Sequence, residues 1–94
     1  MLYQVIGVER KTGEFTPQDK PGTLVHFDNF VFHCVGMLKE IGVTGQAAEQ
    51  LSIKTVDSAE IIEAVGGKIE NVVGRQFNFE TRYGNKIRAW ELVK

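Results

Sequence analysis

Residues 75–94 carry the strongest structural signal in the chain. Alternate positions form one row of side chains along residues 77–83 and a second along residues 86–92, and Gly84-Asn85 separates the two runs. A period of two is typical of a half-buried β-strand, and Gly-Asn tolerates the positive φ angles that a two-residue hairpin turn requires. The pattern therefore predicts a β-hairpin.

A two-residue turn also sets the pairing of the hairpin. The expected cross-strand neighbours are Tyr83 with Lys86, Thr81 with Arg88, Phe79 with Trp90, and Phe77 with Leu92. One face would then be apolar at its base and aromatic and cationic at its tip. We expect the base to join the core and the tip to form a contact surface.

Length and composition indicate one domain spanning residues 1–94. A chain of 94 residues with 43% hydrophobic and 24% charged residues has the composition of a folded globular protein. No apolar run approaches the ~20 residues of a membrane-spanning helix, and no signal segment is recognisable, so we expect a cytoplasmic protein without membrane association. Cys34 is the only cysteine, which excludes an intrachain disulfide and a thiolate metal cluster.

The net charge of −1 is unevenly distributed. Residues 37–66 carry two basic and five acidic side chains, whereas residues 67–94 carry six basic and three acidic ones. A cationic hairpin on a near-neutral domain can attract phosphates locally, although ordinary solvated charges explain the same pattern.

The amino-terminal half predicts two further strands. Leu2 to Arg10 is rich in β-branched residues and apolar on both faces near its start, which is typical of a central strand or of one that a partner covers, so we expect a homodimer. Residues 11–22 read as a long polar connection that contains Phe15. In residues 23–35 the inward parity changes at Asp28-Asn29, which predicts a β-bulge and the bent strand of a small barrel.

The middle of the chain switches to a helical composition. Val43, Ala47, Ala48 and Leu51 would share one face of a first helix, and Asp57 would cap a second that ends at Gly66-Gly67. Residues 68–73 read as a strand leading to the hairpin. The predicted fold is a β-rich α+β domain: a small, partly open barrel of about five strands, with one or two short helices inserted before the C-terminal hairpin.

Several motifs are weak on inspection. Residues 44–53 could open a helix-turn-helix, but the following helix carries Glu60 and Glu63 and no cation, which a DNA groove would repel. His26, His33 and Cys34 lack the short spacing of metal ligands, and no nucleophile, base and orienting group can be assembled. We expect neither an enzyme nor a cofactor or metal site.

The aromatic residues divide into two groups. Spacing assigns Phe27, Phe30, Phe32, Phe77, Phe79 and Trp90 to the core, and leaves Tyr3, Phe15 and Tyr83 as candidates for exposure. Exposed rings beside cations are what sequence-tolerant single-strand binders use to stack bases and neutralise phosphates. The candidate binding residues are Arg10, Lys11, Phe15, Lys20, Tyr83, Lys86 and Arg88.

Short segments along the chain support a family resemblance. They are Arg10-Lys11-Thr12-Gly13, Gly67-Lys68-Ile69, Phe77-Asn78-Phe79, Tyr83-Gly84-Asn85-Lys86 and Trp90-Glu91-Leu92. With the order of strand, loop, long strand, short helix and closing hairpin, they resemble the small OB-fold single-stranded DNA-binding proteins of phages and conjugative elements. The resemblance implies a barrel that binds single-stranded nucleic acid, most readily DNA. The alternative is a protein-interaction or assembly module that does not bind nucleic acid.

Overall fold

The computed structural model describes residues 1–37 and 42–93. Within them lie five strands: β1 (Leu2–Phe15), β2 (Val25–Gly36), β3 (Ala48–Lys54), β4 (Gln76–Arg82) and β5 (Lys86–Leu92). A short α-helix, α1 (Ala59–Ala64), lies between β3 and β4, flanked by the 3-10 helices Thr55–Asp57 and Ile69–Val72. The molecule is therefore β-rich, as predicted.

The five strands form a closed sheet in the order β1-β2-β3-β5-β4. Most neighbours are antiparallel, and β4 returns to pair with β1 at Leu2–Gln4. The remaining seam joins β3 to β5 in parallel at one pair, Ser52 with Lys86. The ring is closed rather than partly open, and it is uneven because β1 and β2 are much longer than the other strands.

The excess length of β1 and β2 forms a two-stranded arm. β3 pairs with β2 only as far as Asn29, while β1 and β2 stay paired out to Phe15 and Val25. We define the arm as residues 10–15 of β1 and 25–28 of β2. The connection expected at residues 11–22 is confirmed for residues 16–22 and wrong for residues 11–15, which are strand; residues 16–24 join the two strands.

The core fills the ring of strands. Phe32, Phe77 and Phe79 are almost fully buried, with ring centroids 5.1 Å apart between Phe77 and Phe79 and 5.9 Å apart between Phe32 and Phe79. The other members of the buried cluster are Tyr3, Val5, Phe30, Cys34, Leu51, Ile53, Ile61, Val65 and Val72. Tyr3, expected at the surface, is thus a core residue whose hydroxyl donates to Glu49 Oε2 at 2.7 Å.

Two elements predicted in the middle of the chain are wrong. Residues 48–54 form β3 instead of a helix, because β2 offers them seven consecutive antiparallel partners and alternation buries Leu51 and Ile53. Pairing with a buried strand overrides the helical propensity of Ala, Glu and Gln. Residues 69–72 form a 3-10 helix where a strand was expected.

The second predicted helix is present. It buries Ile61 and Val65, and both Gly66 and Gly67 adopt the positive φ that ends it. Its N-cap is Ser58 rather than Asp57, and the buried Ser58 hydroxyl donates to the carbonyl of Thr55 at 2.7 Å.

The irregularities in the strands are not where they were expected. β2 pairs with β1 continuously through Asp28 and Asn29, while the register shift falls on β1 at Ile6. Val25 and Phe27 belong to the arm and do not enter the core, so no bulge is required to turn them inward.

The C-terminal hairpin is confirmed at its base and wrong at its tip. Phe77 faces Leu92 and Phe79 faces Trp90, but Arg82 pairs with Lys86, which leaves a three-residue turn with positive φ at Tyr83 and Gly84. Thr81 faces Ile87, so Arg88 is the extra residue of a bulge. The expected Tyr83–Lys86 and Thr81–Arg88 pairs are absent.

Substitutions in β3 distinguish a strand from a helix at this position. Ile53→Ala is expected to cost about 2–5 kcal/mol because Ile53 is only 7% exposed and packs in the core. The predicted helix would bury Ala48, but in β3 this residue is exposed. Ala48→Ser is therefore expected to cost less than about 0.5 kcal/mol. Urea unfolding of both variants measures the difference, and the reverse order of costs would contradict the strand.

Candidate functional site

The outward side of β1, β2 and β3 is a continuous surface. Phe30, Phe32 and Cys34 point into the core, so by strand alternation the odd-numbered residues of β2 point outward. Directly paired residues on neighbouring strands share a face. We call this surface the outer face; its members are Glu9, Lys11, Gly13 and Phe15 of β1, Val25, Phe27, Asn29, Val31 and His33 of β2, and Gln50, Ser52 and Lys54 of β3.

The register arranges these side chains in rows across the strands. One row runs from Lys54 through Asn29 to Lys11. The next begins at Lys86 on β5, which pairs with Ser52. Alternate residues along a strand are about 6.8 Å apart, and neighbouring strands about 4.8 Å, so the two rows are adjacent. Arg82 of β4 pairs with Lys86 of β5, and we include both residues in the outer face.

Most cations of this surface are free of ion pairs. Lys11 Nζ lies 3.8 Å from Glu9 Oε1, whereas Lys54, Arg82 and Lys86 form no ion pair with any other described residue. The outer face therefore presents positive charge that the protein does not neutralise itself.

Two aromatic rings lie beyond the lysine row, on the arm. Phe27 is 37% and Phe15 51% exposed, with ring centroids 6.3 Å apart. Phe27 lies over Gly13, where a Cβ would come within 2.6 Å of Phe27 Cζ. Glycine thus allows the ring to lie against the sheet, with its opposite side toward solvent.

The hairpin tip adds a third exposed ring. Tyr83 is 85% exposed, adopts a φ of 50° and has the Arg82 guanidinium carbon 5.8 Å from its ring centre. A positive φ is uncommon outside glycine and costs conformational free energy, so the turn that exposes Tyr83 is slightly strained at this residue. Arg88 is the bulge residue of β5, and its Nη2 lies 3.7 Å from Glu80 Oε2.

The opposite face of the arm carries paired charges. Arg10 donates from Nε and Nη2 to the Asp28 carboxylate at 2.9 and 2.6 Å, and Thr55 Oγ1 donates to the same carboxylate at 2.7 Å. These hydrogen bonds, that from Arg10 first, lower the pKa of Asp28 to about 2, and the pKa of Arg10 is raised in turn. The arm is thereby tied to the 3-10 helix that follows β3.

The sequence-predicted residues are only partly brought together. Lys11, Phe15 and Lys86 share the outer face, and Tyr83 extends beyond it at the hairpin tip. Arg10 lies on the other face of the arm, engaged with Asp28. Lys20 is exposed in the connection between β1 and β2.

Sequence reasoning missed three residues of this surface: Phe27, Lys54 and Arg82. The apolar run of residues 23–35 predicts that Phe27 lies in the core, whereas it is 37% exposed. The one available signal was Gly13, a small residue in a strand that leaves room for a ring from the neighbouring strand. The helical composition of residues 43–51 predicts a helix where β3 forms, and it gives no indication that Lys54 lies beside β2.

The buried thiol and the two histidines are each accounted for by their immediate surroundings. Burial, with a smaller effect of Glu49, raises the pKa of Cys34 to about 12, so the thiol stays protonated at neutral pH. His33 and His26 each contact a carboxylate, Glu9 and Glu14 respectively, at 2.9 Å. Among the described residues, no three His, Cys, Asp or Glu side chains converge as a metal site would require.

No family model, curated protein or solved structure matches this chain. Within residues 1–37 and 42–93, no helix has the length and hydropathy needed to cross a bilayer.

Replacing Gly13 tests the position of Phe27. Gly13→Ala is expected to displace the ring and abolish the upfield ring-current shift of the residue 13 Hα, measured by NMR. Gly7→Ala is the matched control, because a Cβ there would lie 3.7 Å from His33, an ordinary contact. Unshifted Gly13 Hα signals in the unmodified protein would show that Phe27 does not cover this glycine.

The Asp28 carboxylate is expected to titrate near pH 2 instead of near 3.8 in carbon-detected NMR. A folded-state pKa below the unfolded value means that its stabilising effect is present above about pH 4 and is lost as the pH falls through about 2. Thr55→Val is expected to raise the midpoint by removing one donor. A midpoint unchanged by this substitution would rule out the Thr55 contact in solution.

Proposed function

We propose that this protein binds single-stranded nucleic acid, most readily DNA, with little sequence preference. The observation that carries the proposal is the outer face itself. Lys11 and Lys54 lie in the row next to Phe27, Lys86 and Arg82 lie in the row beyond, and the rings of Phe27 and Phe15 are exposed on the same surface. Cations neutralise phosphates, and exposed rings stack on bases whose faces are free. Every base has such a face, so this chemistry does not distinguish one sequence from another. It favours single strands because their bases are free to stack on protein side chains.

The architecture supports the same proposal. A five-stranded barrel with a helix between its third and fourth strands is the plan of an OB fold, in which strands 2 and 3 and the loops after strands 1 and 4 hold the oligonucleotide. Here the outer face lies on β2 and β3, the arm lies at the β1–β2 connection, and Tyr83 lies at the β4–β5 turn. This correspondence in position supports the proposed site. A role of the phage or mobile-element type is part of the proposal.

The charge balance predicts moderate affinity with a strong dependence on salt. The molecule has a formal net charge of −1, so long-range attraction is weak and binding depends on the local cluster of Lys11, Lys54, Arg82 and Lys86. Salt screens such contacts and competes for the phosphates. Binding of different oligonucleotides is therefore best compared at low ionic strength, where these contacts are strongest.

The cations and the aromatic rings are expected to contribute in different ways. Lys54→Ala or Lys86→Ala is expected to flatten the log–log salt dependence of binding by about 0.7 per lost phosphate contact. Phe27→Ala or Tyr83→Ala is expected to cost about 1–3 kcal/mol without changing that slope, because stacking releases no counterions. Fluorescence anisotropy with a labelled oligo(dT) over a salt series measures both quantities.

Two controls separate the proposed site from general charge and from general polyanion binding. Lys68→Ala removes a lysine that precedes the Ile69–Val72 helix and lies off the outer face, and is expected to change neither quantity. An oligonucleotide of abasic sites keeps the phosphates and removes the bases, so Phe27→Ala is expected to have no effect on its binding. An equal loss for both ligands would exclude stacking.

An assembly module is the second candidate. It is favoured by the apolar side chains of the arm and its connection, where Leu24 is 54% and Phe15 51% exposed. The same titration decides between the two: no binding of oligo(dT) at low salt and micromolar protein would leave the assembly role.

A further inference from the structure

The arm leaves one edge of β1 unpaired. β4 pairs with β1 at Leu2–Gln4, and Val5 exchanges main-chain hydrogen bonds with Arg75 and Gly74. Beyond the Ile6 bulge, no other described strand pairs with this edge of β1. A row of free main-chain donors and acceptors is a template for another strand.

Alternation shows which residues present their main-chain groups at this edge. The Gly36 N–H donates to Ala47, toward β3, so the even-numbered residues of β2 face β3 and the odd-numbered ones face β1. Their partners Glu9, Lys11 and Gly13 face back toward β2. The main-chain groups at the open edge are therefore those of Val8, Arg10, Thr12 and Glu14.

This edge is complementary in charge to itself. In an antiparallel pair of two identical edges with the two-fold axis at Thr12, Arg10 of each copy stands directly opposite Glu14 of the other. Moving the axis to Arg10 or Glu14 places like charges opposite each other, and moving it to Lys11 places Arg10 opposite Thr12. Opposite charges in direct cross-strand positions stabilise a pairing and like charges oppose it, so one register is selected.

The side chains retain the capacity for these contacts. Arg10 uses Nε and Nη2 for Asp28, and its Nη1 has no hydrogen bond to another described residue. Glu14 engages His26 through Oε1, which leaves Oε2 available. An Arg10 that bridges Asp28 of its own chain and Glu14 of a second copy satisfies both carboxylates.

We propose that this protein forms a homodimer by antiparallel pairing of the β1 edges of two arms, centred on Thr12. Three hydrogen-bonded residue pairs, Thr12 with its symmetry mate and one Arg10–Glu14 pair on either side of it, supply about six main-chain hydrogen bonds. The interface is isologous and closes on itself, as a two-fold dimer requires. The two arms become one four-stranded antiparallel sheet.

The pairing has a consequence for the outer face, and this consequence rests on the proposed function. Lys11 of one copy lies opposite Gly13 of the other, the glycine that Phe27 covers. Directly paired residues share a face, so the outer faces of both copies lie on the same side of the joined sheet. Cations of one copy then alternate with rings of the other, and one ligand strand can engage both copies, with the gain in affinity that linked sites provide.

The mass of the protein in solution without nucleic acid tests the dimer independently of the proposed function. Sedimentation analysis is expected to give twice the chain mass of 10.5 kDa. Thr12→Pro is expected to give the monomer, because it removes an outward N–H at the two-fold axis without removing a hydrogen bond to β2. Thr12→Val keeps that N–H and is expected to remain dimeric.

Cross-linking tests the register. In a Cys34→Ser background, Thr12→Cys is expected to form a disulfide-linked dimer under mild oxidation, since Cα atoms of directly opposed residues are about 5.5 Å apart. Glu9→Cys, which lies far from its symmetry mate in this register, is expected to stay unlinked. Glu14→Arg is expected to weaken the dimer at least tenfold by setting two arginines against each other.

Three results would overturn the proposal. They are a monomer mass at the highest attainable concentration, a dimer that Thr12→Pro leaves intact, and efficient cross-linking at position 9 in place of position 12. If the protein is a dimer but does not bind oligo(dT), this result would contradict the proposed function alone. Far-UV circular dichroism and the Gly13 Hα shift verify that Thr12→Pro preserves the arm.

Discussion

Contacts among Phe32, Phe77 and Phe79 across the barrel interior hold the structure together. Phe32 comes from β2 and the other two from β4, strands that are not neighbours in the sheet. Both strands flank β1, and the burial of the three aromatic side chains between them stabilises the curvature of the closed sheet. The pairing of β1 with β4 and the short β3–β5 seam close the sheet around these aromatic side chains.

The arm is a consequence of how the ring closes. β4 meets β1 at Leu2–Gln4, so most of β1 continues past the point of closure with β2 alone beside it. A two-stranded ribbon cannot bury a face on its own, and its inward side is accordingly occupied by the Arg10–Asp28 pair instead of apolar residues. Thr55 fastens that pair to the body of the domain. The outward side is left free to carry Lys11, Phe15 and Phe27.

The two sides of the arm therefore have different electrostatic characters on a nearly neutral molecule. On the inward side, carboxylates satisfy Arg10 and contact His26, and the pKa of Asp28 is depressed accordingly. On the outer face, Lys54 and Lys86 have no carboxylate within ion-pair distance among the described residues. Local arrangement, rather than net charge, is what makes this surface a candidate for phosphate contact.

The sequence by itself determined the elements whose signals are local. The base of the C-terminal hairpin, the burial of Phe77 and Phe79, and the helix ended by Gly66-Gly67 all follow from alternation, turn chemistry and capping. Each depends on residues a few positions apart, so the chain encodes it without knowledge of its neighbours.

Only the tertiary structure decided the identity of β3, the extent of the arm and the composition of the outer face. Residues 48–54 are a strand because β2 lies beside them, and Phe27 is a surface residue because Gly13, distant in sequence, lies beneath its ring. Lys54 and Lys86 become neighbours in space through a seam between strands that are far apart in the chain. Strand pairing joins such residues by long-range hydrogen bonds, and neither local propensity nor periodicity records which strands will meet.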